Sequence, residues 1–117
     1  MEERAVVFKM RKKSKKGEIR ELDNVWKRNI YERDEDRCQV CWQIIEGRNK
    51  NAHHILPKNI KGMRWDLNNG ITLCYHHHKV GRFSAHMNAL WFTFWLKTHK
   101  KNQFEYLISK LEHIESK

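Results

Sequence analysis

A small α+β domain, built from a β-hairpin with a long connection and flanking α-helices, is the fold that the sequence predicts. Three observations carry it. Two short apolar segments, 52–56 and 71–73, are separated by a polar, basic stretch containing Gly62. Apolar residues recur at intervals of three and four on either side of that pair. Two cysteines, Cys38 and Cys41, stand two residues apart upstream of Cys74 and a run of histidines. The last of these suggests a staple for a core that 117 residues make only modest in size.

Residues 1–22 hold a brief apolar patch, Ala5-Val6-Val7-Phe8, and then a basic run. Between Lys9 and Arg20 there are seven basic residues and one acid, which reads as a solvated N-terminal arm able to contact phosphate. Residues 23–117 read as one domain. Asp23 or Asn24 suits the cap of a first helix, with Val25, Trp26, Ile30 and Tyr31 at helical spacing up to about Glu35. The Cys38/Cys41 turn follows. The first strand, 52–56, ends at Pro57, the only proline. Residues 58–69 form the connection, and Asn69-Gly70 leads into the second strand. A helix starts near Tyr75 or His76. Ser84 suits the cap of the next, whose core stripe is expected to be Met87, Leu90, Trp91 and Phe94. Phe104, Leu107, Ile108, Leu111 and Ile114 mark a final amphipathic helix.

Lys and Arg number 24 against 14 Asp and Glu, a formal charge of +10. So large an excess repels itself in a compact fold and points to a polyanionic partner, DNA being the expectation here. No apolar run is long enough to span a membrane, so no membrane partner is expected. The opening Met1-Glu2-Glu3-Arg4 has no secretory apolar stretch, which points to the cytoplasm.

Three cysteines in a reducing compartment argue against a disulfide framework. Cys38-x2-Cys41 is followed, after a gap of 32 residues, by Cys74-x2-His77. Two intervening residues let the chain turn so that both side chains reach one tetrahedral ion, and two such pairs complete a structural zinc site. His76, His77 and His78 all compete for the fourth position, and spacing favours His77. A thiol redox pair at Cys38/Cys41 is the competing reading, but it leaves the second knuckle without a purpose.

A second constellation remains once the zinc ligands are removed. It comprises His53 and His54 at the end of the first strand, Asn69 before the second, and His78 after the second knuckle. With Cys38-Gln39-Val40-Cys41, Ala52-His53-His54-Ile55-Leu56-Pro57, Asn69-Gly70-Ile71-Thr72-Leu73-Cys74 and His77-His78-Lys79, the stretch 24–86 resembles the HNH nucleases, in particular the small zinc-bearing members from tailed bacteriophages. The resemblance implies a ββα-metal core and DNA endonuclease activity, either nicking or double-strand cleavage. It also implies a place beside the large terminase subunit in phage DNA packaging. By position it implies that His54 is the general base, that Asn69 fixes the loop presenting it, and that His53 and His78 hold the catalytic cation. His77 departs from the pattern, since most zinc-bearing members have a cysteine there.

The residue types suit that chemistry without the resemblance. A neutral imidazole can take a proton from water near pH 7. One divalent cation, Mg²⁺ or Mn²⁺ with other transition ions tolerated, can stabilise the phosphate and the departing 3′ oxygen. Lys61, Arg64, Lys79 and Arg82 flank these positions as phosphate contacts, and His86 either joins the DNA-binding side or caps the following helix. A zinc-stabilised module that binds nucleic acid without cutting it would share the charge and the zinc. It would have no use for His53, His54, Asn69 and His78.

Overall fold

The computed structural model describes residues 14–115. Helix α1 (Lys15–Arg33) is followed by strands β1 (Asn51–His54) and β2 (Gly70–Leu73), then helices α2 (Ala89–His99) and α3 (Lys101–Glu115). The expectation of a small mixed domain with one hairpin and flanking helices is met. Among the described residues no helix is long and apolar enough to cross a membrane. The apolar patch at 5–8 and the first part of the basic run lie outside the described residues.

The cap of helix α1 lies nine residues before the expected cap at Asp23, so the later part of the presumed arm is helical. Ser14 is its cap, its side chain accepting from the Gly17 N–H, and Glu18 lies in the first turn where it meets the positive end of the helix dipole. Trp26 and Ile30 form the buried face of α1. They pack on Gly70, where any Cβ would overlap the Trp26 and Ile30 side chains, so the strand can approach the helix only at glycine.

The hairpin is antiparallel, with Asn51 opposite Leu73, Ala52 opposite Thr72, His53 opposite Ile71 and His54 opposite Gly70. Strand β2 is buried along its whole length. At the end of α1, buried Asp34 ties helix to strand: its Oδ2 accepts from the Thr72 N–H at 2.9 Å. Arg33 grips the same carboxylate and donates to the carbonyls of Leu67 and Gly70.

The main core joins Ile45, Ile71, Leu73, Cys38 and Cys74 to Phe92, Trp95 and Leu96 of α2. This corrects the expected face of that helix. Met87, Leu90 and Phe94 are 66%, 83% and 67% exposed, and Asn88, not Ser84, is the cap. The segment 90–96 is apolar almost all round, so its spacing alone does not choose which side faces inward. In α3, Leu107 is buried and Phe104 packs against the core, while Ile108 faces solvent.

Candidate active site

Two clusters of metal-binding side chains converge at the hairpin. The first is Cys38, Cys41, Cys74 and His77, whose ligand atoms all lie within 4.8 Å of one another. The Cys38 turn is closed by the Cys38 N–H on the Gln43 carbonyl and the Trp42 N–H on the Cys38 carbonyl. Trp42 adopts a φ of 67° to complete it, a left-handed conformation that few bulky residues accept. The Gln39 N–H donates to the Thr72 carbonyl and so docks this turn on β2, directly before Cys74.

His77 Nδ1 lies 3.2 Å from Cys74 Sγ and 3.8 Å from Cys38 Sγ. A sulfur and a nitrogen bound tetrahedrally to one zinc ion stand about 3.5 Å apart, midway between these distances. The Cys3His group can therefore hold a metal ion, and its thiol and imidazole donors are those that zinc favours. Of the three histidines that compete in the sequence, His77 supplies the fourth position. His76 instead packs its ring on Gly81, and His78 turns to the other cluster. Burial raises both Cys38 and Cys74. At Cys38 it is outweighed by backbone N–H groups of Cys41, Cys74 and Val40, which favour a thiolate, whereas Cys74 is pushed up to about 11.

The second cluster is His53, His78 and His86, again with ligand atoms within 4.8 Å. His53 comes from β1. His78 comes from a π-helical turn (His76–Val80), its N–H bonded to the Cys74 carbonyl. His86 comes from the irregular segment beyond. The Ala85 N–H to the His77 carbonyl at 2.9 Å and the His86 N–H to the His78 carbonyl at 3.0 Å fold that segment back over the turn. Nε2 atoms of His78 and His86 are 3.2 Å apart, and the His53 ring meets both at 5.0 Å between centroids. Phe92 closes the apolar side against His53. Burial is the main cause that depresses His53 to about 3 and His78 to about 4, with neighbouring imidazoles adding to it, so both rings are neutral and have lone pairs to offer. Nδ1 of His78 is buried with no hydrogen-bond partner among the described residues.

His54 lies one residue from His53 and therefore on the other side of the strand. Its ring stacks on Trp26 at 3.9 Å and 9°. Trp26 is itself held by its indole N–H on the Asp66 carbonyl. His54 Nε2 is 2.8 Å from the Arg64 carbonyl. A carbonyl only accepts, so the proton sits on Nε2 and Nδ1 carries the lone pair. Burial lowers the His54 pKa, which keeps that lone pair available at neutral pH.

Asn69 is fully buried and acts on the connection rather than on a ligand. Its Nδ2 donates to the carbonyls of Leu56 and Met63, and its Oδ1 accepts from the Leu56 N–H at 2.6 Å. Both ends of the connection are thus stapled around the His54 partner. Asn69→Ala would strand these three backbone groups and is expected to cost about 3 kcal/mol, since each buried group left without its partner costs about 1–3 kcal/mol. Thermal or denaturant unfolding of the zinc-loaded variant measures it, and an unchanged midpoint would contradict the role.

His53, His54, His78, Lys79 and His86 line one cleft of about 660 Å³, together with Trp26, Tyr31 and Lys27, Lys50 and Lys58. Lys61 and Arg82 are exposed but do not line it. Arg64, expected as a phosphate contact, is paired with Asp23. Its guanidinium grips Asp23 through Nε at 2.9 Å and Nη2 at 2.7 Å, anchoring the connection to α1. That contact, chiefly, holds the Asp23 carboxyl down at about 2. His86 is the exposed member of the histidine cluster. Lys27, Lys50 and Lys58 carry no sequence signal beyond charge, and only the fold places them here. No family model, curated protein or solved structure matches this chain.

Proposed function

We propose that this protein is a divalent-metal-dependent DNA endonuclease of the HNH type, with a ββα-metal core stapled by a structural zinc at Cys38, Cys41, Cys74 and His77. One observation carries the reading. A histidine fixed in a single tautomer, His54, lines the same basic cleft as a cluster of imidazoles able to hold a cation. A zinc-stapled binding module needs neither feature.

Each side chain has a distinct part. His54 Nδ1 takes the proton of the attacking water, while the Arg64 carbonyl and the Trp26 face stop the ring from turning away. Asn69 positions that arrangement through the backbone and does not touch substrate. Lys27, Lys58 and Lys79 have no ion-pair partner among the described residues, and they draw the phosphodiester backbone into the cleft. Lys50 lines the same wall but shares its charge with Asp36. A divalent cation held by His53 and His78 supplies, when bound, stabilisation of the charge on the phosphate and the departing 3′ oxygen. Action beside a large terminase subunit during phage DNA packaging is the biological setting that fits this reading.

The test is conversion of supercoiled plasmid to nicked or linear DNA by zinc-loaded protein. The expected result is cleavage only with an added second metal, leaving 5′-phosphate and 3′-hydroxyl ends. Binding without cleavage under every metal would return the protein to the class of binding modules.

A further inference from the structure

We propose that the cleft takes a transition-metal dication through three ligands, His53, His78 and His86, and discriminates against magnesium. The inference deepens the nuclease reading and rests on it for what the ion does. The binding itself follows from the donor set.

Three imidazoles from three separate elements bring nitrogen atoms within 4.8 Å of one another, and the His78 and His86 Nε2 atoms are 3.2 Å apart. Two nitrogens bound to one ion at ~2.0–2.1 Å with tetrahedral angles stand about 3.3 Å apart. A simple hydrogen bond would account for the His78–His86 pair alone. It would not account for His53, whose ring closes the same triangle from strand β1.

The chemistry of the donors sets the selectivity. Mg²⁺ prefers oxygen ligands in octahedral array and gives up its waters reluctantly. Among the described residues Asp23 is the one acid lining the cleft, and its two carboxylate oxygens are taken by Arg64 and Trp65. Imidazole suits cobalt, nickel, copper and zinc, whose affinities for nitrogen sites exceed that of manganese. Three neutral ligands also leave the full double positive charge of the ion directed at a phosphate, which a carboxylate ligand would partly cancel.

Cobalt is the probe, because its visible absorption reports on coordination independently of catalysis. Full-length protein with one zinc in the thiolate site would be titrated with Co²⁺, and the spectrum followed. We expect one further equivalent to bind with bands that lack thiolate charge transfer, and a ~1,000-fold excess of Mg²⁺ to leave them unchanged. His86→Ala should weaken this binding by at least the ~10–100-fold that follows loss of a mere outer-shell partner. His86 is exposed, so circular dichroism and zinc content of that variant should match the wild type. Absence of a second cobalt, displacement by Mg²⁺, or unchanged affinity in His86→Ala would each overturn the proposal. Cobalt binding as expected with no DNA cleavage would defeat the nuclease reading and leave this one standing. Equal Mg²⁺-supported cleavage by wild type and His86→Ala would do the reverse.

Discussion

Stripping zinc from the Cys38, Cys41, Cys74 and His77 cluster with a strong chelator is expected to unfold the chain. The four residues tie the turn at 38–43 to the end of β2, and Cys38 and Cys74 are themselves part of the core. Without an ion, three thiols and an imidazole in that position offer one another only weak hydrogen bonds. A structural zinc contributes about 10–16 kcal/mol at pH 7, against a total stability of about 5–15 kcal/mol for a domain. The first number is as large as the second. Far-ultraviolet circular dichroism should therefore lose its helical signal on chelation and regain it when zinc is returned. Retention of the full signal in metal-free protein would show that the core stands without the staple.

DNA binding is expected to weaken by ~10³-fold between 50 and 200 mM salt if about six phosphates are neutralised, because the logarithm of affinity falls with a slope of about 0.9 per phosphate. Lys27, Lys50, Lys58 and Lys79 line the cleft and would supply at most four such contacts, and Lys61 and Arg82 stand exposed beyond it. Four contacts alone would give ~10²-fold over the same range, so the slope counts the residues engaged. Fluorescence anisotropy of a labelled duplex measures it. Replacing Lys27 and Lys58 together should reduce the slope by about two. A response flat in salt would mean that the basic wall of the cleft is not where DNA lies.

Much of the site was legible in the residues, because the relevant spacings are local. Cys38-x2-Cys41 and Cys74-x2-His77 each close within one turn, and a hairpin brings the two turns together whatever lies between. His53, His54 and Asn69 flank the same hairpin. His86 was harder to place. It reaches the cluster through two backbone hydrogen bonds in an irregular segment, and no periodicity announces such a fold-back. The Arg64 ion pair has no local signal for a related reason: its partner Asp23 is 41 residues away. The start of α1 had a readable signal. Ile19, Leu22, Trp26 and Ile30 recur at three and four residues, but dense charge around them favoured an arm. For α2, an apolar surface on every side left the buried face to be chosen by Phe92, Trp95 and Leu96 meeting β2 and the Cys38 turn.

The most direct test compares plasmid cleavage by wild type and His54→Ala, each confirmed to hold one structural zinc and to have the same helix content. With a second metal in excess, loss of the general base is expected to slow cleavage by ~10²–10⁴-fold while DNA affinity stays within a few-fold of wild type. Equal cleavage by the folded variant would contradict the assignment of His54, and with it the account of how this cleft cuts DNA.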